Sequence, residues 1–160
     1  MMNSILRVFG AGPLGILLTV LSVGLASTAR ARYPSGTLGI PATVRCAILL
    51  CAGIATVSGV AWSFRSLSVS QRGCDLCIGG AYHWVRHPLY ASFITLGAPG
   101  VALFLDHWVF FVWLIVLHLI WHLVVRFEER LMVAQFGDQY RAYARHTGRF
   151  VPRLRFRPAA

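Results

Sequence analysis

The chain has 160 residues, of which 57% are hydrophobic and only 12% charged, with a formal net charge of +10. A composition this apolar excludes a soluble globular domain, and the length leaves room for one compact unit. The charge comes from fifteen arginines and no lysine, eight of them at or after Arg126. A basic tail beside a membrane helix faces anionic headgroups, so membrane lipids are expected as partners and nucleic acid is not.

Four windows carry no Asp, Glu, Lys or Arg: Val8 to Ala29, Cys46 to Phe64, Pro88 to Leu105 and His107 to Val125. Each approaches or reaches the ~20 residues that a helix rising ~1.5 Å per residue needs to cross ~30 Å of hydrocarbon. The expected fold is therefore an all-α integral membrane protein with four transmembrane helices near residues 8–29, 43–64, 88–105 and 107–126, followed by a C-terminal helical segment. The first apolar run is longer than the ~7–15 residues of a signal core, so this span is expected to be retained.

Between the first two spans, Tyr33-Pro34-Ser35-Gly36 and Gly39-Ile40-Pro41 supply turn chemistry. The connection 65–87 contains Arg65, Arg72 and Arg86, and the chain beyond the last span is strongly basic. By the positive-inside rule both face the cytoplasm, with Arg30 and Arg32 as a smaller opposing pair. The third window is interrupted by Pro88, Gly97, Pro99 and Gly100, and Asp106-His107 forms a hairpin that makes the last two spans antiparallel neighbours. Past Val125 the helix is expected to run to about Gln135 and stop at Gly137. Asp138 then caps a second short helix with Tyr140 and Tyr143 on one face and Arg141 and Arg145 on the other.

Several polar groups stand out against this background. In Arg86-His87-Pro88 the proline starts a helix at the membrane surface, and the arginine adds a charge, which suits either a bound carboxylate or headgroup anchoring. Glu128 and Glu129 are two of only five acids and stand near the end of a span; either Arg126 and Arg130 compensate them, or one of them accepts hydrogen bonds from a ligand. His118 and His122 share a helix face inside the last span, as packing residues or as proton carriers and ligands. Cys74-Asp75-Leu76-Cys77 with His83 and His87 offers zinc-ligand residue types at too short a spacing, so no metal is expected.

Taken in order, Gly80-Ala81-Tyr82, Arg86-His87-Pro88-Leu89-Tyr90, Glu128-Glu129, Phe136-Gly137-Asp138-Gln139-Tyr140 with Tyr143, and Val151-Pro152 resemble the isoprenylcysteine carboxyl methyltransferase family of integral membrane enzymes. The resemblance covers about half the chain, from Cys74 to Pro152, and is specific for the superfamily but not for a substrate. It implies S-adenosylmethionine as co-substrate and two cytoplasmic cofactor segments, 65–87 and 126–153, at the inner membrane. It further implies that Tyr82, His87, Pro88, Leu89, Tyr90 and Glu128 contact the cofactor, with Arg86 and Glu129 beside them and the backbone of Cys74, Asp75, Leu76 and Cys77 covering it. A lipophilic acceptor is expected to arrive between the helices.

This chain departs from the family pattern in two places. Ser92 replaces a common glycine, and Val124 stands where the prenylcysteine enzymes carry the arginine that holds the substrate carboxylate. The expectation shifts to O-methylation of a phenolic or pyrone-type lipid hydroxyl, with His122 as base and Arg126 stabilising the oxyanion. The other readings are prenylcysteine carboxyl methylation, phospholipid amine methylation, and a non-catalytic protein that binds haem, quinone or lipid through His118 and His122.

Overall fold

The computed structural model describes residues 12–66 and 76–153. Its order is α1 (Gly12–Arg32), α2 (Ala42–Ser66), α3 (Ala81–Trp84), α4 (Pro88–Ala91), a π-helical segment Ser92–Gly97, α5 (Ala98–Phe104) and α6 (Val109–His146). No strand is present among the described residues; two isolated backbone bridges join Thr37 to His107 and Val85 to Gly148.

Three helices, α1, α2 and α6, are long and apolar enough to cross a membrane. They correspond to the first, second and fourth expected spans, although residues 8–11 of the first lie outside the described residues. The third expected span differs. It is 17 residues from Pro88 to Phe104, about 25 Å of helix against ~30 Å of hydrocarbon, and it is not one regular helix. Pro99 has no N–H and its ring crowds the carbonyl four residues back, so the turn before it widens, and the Ala98 N–H bonds the carbonyl of Phe93, five residues back. The Thr56 hydroxyl reaches the Ser92 carbonyl at 3.3 Å from α2.

Packing divides the helices into two layers: α1 lies on α6, and α2 lies on the α4–π–α5 run. Two indole donors fasten the first layer, Trp113 Nε1 to Ser22 Oγ and Trp121 Nε1 to Thr19 Oγ1, each at 3.0 Å. Gly15 makes that approach possible, because a Cβ there would sit 2.6 Å from the Trp121 ring. Phe110, Trp113, Leu117, Trp121 and Val125 on α6 form the centre of the core. Outward, α2 exposes Leu50, Ile54 and Val57, as a lipid-facing helix does.

At the end of the molecule that holds the 33–41 loop, His107 is fully buried. Its Nε2 lies 2.8 Å from the Tyr33 carbonyl, and its Nδ1 accepts the Val109 N–H at 3.3 Å, one of the orphan donors at the start of α6. Asp106, in a left-handed conformation, accepts the Ile40 N–H and pairs with Arg45 at 3.7 Å. These contacts tie the turn between α5 and α6 to the loop between α1 and α2.

At the other end, Gly137 leaves helical geometry with φ 54° and ψ −127°, a left-handed φ that glycine adopts without a Cβ penalty. The expected stop is therefore present as a kink, with helix on both sides. Beyond it Tyr140 is buried and Tyr143 half-buried, while Arg141 and Arg145 face outward. Asp138 pairs with Arg141 at 2.9 Å.

Candidate active site

The site begins with backbone pairing between segments far apart in sequence. Residues 85–87, held extended ahead of Pro88, run beside 147–149: the Arg86 N–H donates to the Gly148 carbonyl at 2.8 Å and the His87 N–H to the Arg149 carbonyl at 3.1 Å. Tyr143 adds a bond from its hydroxyl to the Tyr82 carbonyl at 2.5 Å. This strap carries the end of the chain back over the start of α4. It places Arg149 and Phe150 beside Glu129 and His87.

Glu129 is the hub of the resulting cluster. Arg149 grips it with two nitrogens, Nε at 3.0 Å and Nη2 at 2.6 Å from Oε2, while Arg86 Nη2 lies 3.0 Å and His87 Nε2 3.6 Å from Oε1. Glu128 accepts the Tyr90 hydroxyl at 2.8 Å and has His87 Nδ1 at 3.4 Å. Arg86 also donates to the Ala144 carbonyl at 2.8 Å. Burial alone would push His87 down, but its contacts with Glu128 and Glu129 outweigh that and raise it above its ordinary value. An aromatic wall encloses the cluster: His87 stacks on Tyr90 with centroids 5.8 Å apart, Tyr90 meets Trp121 at 4.6 Å, and Phe150 lies 6.0 Å from His87.

The compensation of the Glu pair corrects the sequence reading. Arg126 and Arg130 were one of the two readings for the pair, but both are exposed, and the cations that hold Glu129 come from Arg86 and Arg149. Arg86 suited either a bound carboxylate or headgroup anchoring; in the structure its partner is the Glu129 carboxylate.

Beside the cluster, an open groove of 680 Å³ runs along α6, lined by Leu114, Leu119 and Leu123 with His118, His122, Arg126 and Arg149. His118 Nδ1 lies 3.0 Å from the Leu114 carbonyl and His122 Nδ1 2.8 Å from the His118 carbonyl. A carbonyl only accepts, so Nδ1 carries the proton in each ring, and Nε2 is the nitrogen left to accept one. His122 packs edge-on against Phe150 at 4.9 Å, and Arg149 both lines the groove and grips Glu129. Groove and cluster therefore share Arg149, and Phe150 packs between His122 and His87.

Of the expected site residues, the structure gathers Arg86, His87, Tyr90, Glu128 and Glu129 in one cluster, with Pro88 buried at the start of α4 and Leu89 half-buried beside it. Tyr82 lies apart, its carbonyl taking the Tyr143 hydroxyl. His122 and Arg126 share the groove, whereas Val124 is buried in the core, so the cations of this groove are Arg126 and Arg149 and not the residue at position 124. Cys74 and Asp75 lie outside the described residues. Leu76 is half-buried, and Cys77 directs its thiol to the Ser66 carbonyl at the end of α2, 3.3 Å away. Arg149 and Phe150 escaped sequence reasoning; their one signal was their place just before the late Val151-Pro152.

Among the described residues the chain is all-helical, with three helices of membrane length and a half-buried carboxylate, arginine and histidine cluster where the apolar run of α6 ends. A family model for phospholipid methyltransferases matches residues 39–139, and the chain belongs to that family. The family lies in the same superfamily of membrane methyltransferases as the isoprenylcysteine enzymes, and the resemblance holds at that level. No curated protein matches the chain.

Membership makes the protein a multi-pass membrane methyltransferase acting on lipid-related substrates, with S-adenosylmethionine as methyl donor. The donor set suits that molecule. Carboxylates for its ammonium and ribose hydroxyls and aromatic rings for its adenine occur in the cluster, whose Arg86 and Arg149 are paired with Glu129, and two buried polar atoms there, Arg86 Nε and His87 Nε2, have no hydrogen-bond partner.

Proposed function

We propose that the protein transfers a methyl group from S-adenosylmethionine to a hydroxyl on an alkyl-chain lipid of the phenolic or pyrone type. The single observation that carries this reading is the apolar groove on α6, whose lining holds both His122 and Arg126 and which Phe150 joins to the carboxylate–arginine cluster. S-adenosylmethionine brings an activated methyl on a sulfonium, so the protein's task is to bind, align and exclude water.

In this mechanism Glu128, Glu129, His87, Tyr90 and Arg86 hold the polar parts of the cofactor, with Tyr82, Pro88 and Leu89 shaping the wall. Leu114, Leu119 and Leu123 take the acceptor's chain. His122 Nε2 receives the proton as the hydroxyl becomes a nucleophile, and Arg126 stabilises the developing oxyanion. The Pro88–Phe104 run serves as a fourth, short span, both cofactor segments face the cytoplasm, and the membrane is the inner membrane, as the arginine distribution supports.

The test is transfer of labelled methyl to alkylresorcinol, alkylpyrone, farnesylcysteine and phosphatidylethanolamine acceptors, with product identification. A labelled O-methyl product from the first two is expected, and His122→Ala should lower turnover by roughly 10²–10⁴-fold with little change in cofactor affinity, recovering in part at higher pH where the acceptor ionises unaided. Turnover of farnesylcysteine without turnover of the phenolic and pyrone lipids would overturn the reading. The family match over residues 39–139 favours phospholipid amine methylation as the second reading, and a methylated amine product would establish it.

A further inference from the structure

A second groove, of 620 Å³, opens on the far side of Arg126 and Arg149. It is lined by six arginines, Arg126, Arg130, Arg141, Arg145, Arg149 and Arg153, against one acid, Glu129. That acid is already taken by Arg86 and Arg149. Arg141 pairs with the exposed Asp138, and Arg153 donates to the Arg145 carbonyl. Arg126, Arg130 and Arg145 have no acidic partner among the described residues. So many like charges around one groove repel one another unless an anion joins them.

Position identifies the anion. The apolar run of α6 ends at Val125, so Arg126 stands where hydrocarbon gives way to headgroups, and the basic groove extends from there into the polar layer. Two of its arginines also line the apolar groove that runs back along α6. We propose that the basic groove is a binding site for the phosphodiester of an anionic membrane phospholipid, whose chains stay in the bilayer beside α6. The phosphate bridges Arg126 and Arg130, before the Gly137 kink of α6, to Arg145 beyond the kink and Arg149 on the strap. A resident lipid of this kind holds the strap against α6, and with it the arginine that grips Glu129. The site adjoins the acceptor groove and shares Arg126 and Arg149 with it, but lipid binding is read without the reaction proposed above.

The experiment is native mass spectrometry of the full-length protein in detergent, titrated with phosphatidylglycerol or phosphatidylcholine. It compares wild type with Arg130→Gln/Arg145→Gln and with a control, Arg30→Gln/Arg32→Gln, whose arginines lie at the C-terminal end of α1. Wild type should retain phosphatidylglycerol over phosphatidylcholine. The groove variant should bind phosphatidylglycerol roughly 30-fold more weakly, since two arginines near an anionic surface are each worth about fivefold, with phosphatidylcholine binding and the control unchanged. Thermal unfolding followed by tryptophan fluorescence should show equal stability without added lipid and loss of phosphatidylglycerol stabilisation in the groove variant alone. Unaltered phosphatidylglycerol binding in the groove variant, or an equal loss in the control, would overturn the proposal. Full displacement of phosphatidylglycerol by millimolar inorganic phosphate would reassign the groove to a soluble phosphate.

Discussion

Replacing Glu129 by glutamine keeps the shape of the hub and removes its charge. Its pair with Arg86 is well shielded, the two side chains being 13% and 9% exposed, and breaking a buried pair by removing one partner costs about 3–5 kcal/mol because the other charge is left uncompensated. Arg149 is 26% exposed, so water screens it and the loss there is about 1 kcal/mol or less. The glutamine carbonyl still accepts one hydrogen bond from a guanidinium, which returns about 1.5–3 kcal/mol. The net expectation is a loss of roughly 3 kcal/mol, or about 6–12 °C in unfolding temperature for a chain of this size. Tryptophan fluorescence of the purified protein in detergent measures it, since Trp113 and Trp121 are buried on the same helix. Arg86→Met combined with Glu129→Gln should recover part of the loss, because no buried charge then stands alone. A shift below about 2 °C for Glu129→Gln, or a double variant as unstable as the sum of the singles, would refute the reasoning.

Protonated His87 should contribute stability that is fully present below pH ~6.5 and is lost as pH rises through its raised folded-state value. Unfolding temperature should therefore fall as pH rises from about 6.5 through that raised value, and His87→Gln should flatten that part of the profile. Tyr90→Phe deletes the 2.8 Å bond to Glu128 and should cost about 1–2 kcal/mol of stability; on the proposed reading, S-adenosylhomocysteine binding measured by calorimetry weakens as well. Gly15→Val drives a side chain into the Trp121 ring, 2.6 Å from the first added carbon, and should destabilise by about 1–3 kcal/mol, with a change in tryptophan emission as the bond to Thr19 is lost.

Local composition determined a good deal of this protein. Charge-free runs longer than a soluble helix requires marked α1, α2 and α6, because the cost of placing charge in hydrocarbon acts residue by residue along the chain. The same holds for the break at Gly137 and the split between Tyr140 with Tyr143 and Arg141 with Arg145, which depend on backbone freedom and a helical period. Interrupting residues in the 88–105 window were visible too, and Pro99 widens the turn before it, but the contact of Thr56 on α2 with the Ser92 carbonyl was not legible. Tertiary structure alone decided the site. Arg126 and Arg130 are Glu129's neighbours in sequence, yet the carboxylate is held by Arg86, 43 positions earlier, and Arg149, 20 positions later. Those partners arrive through the backbone pairing of 85–87 with 147–149. A salt bridge responds to distance in space, and no period or propensity in one strand of sequence carries that distance.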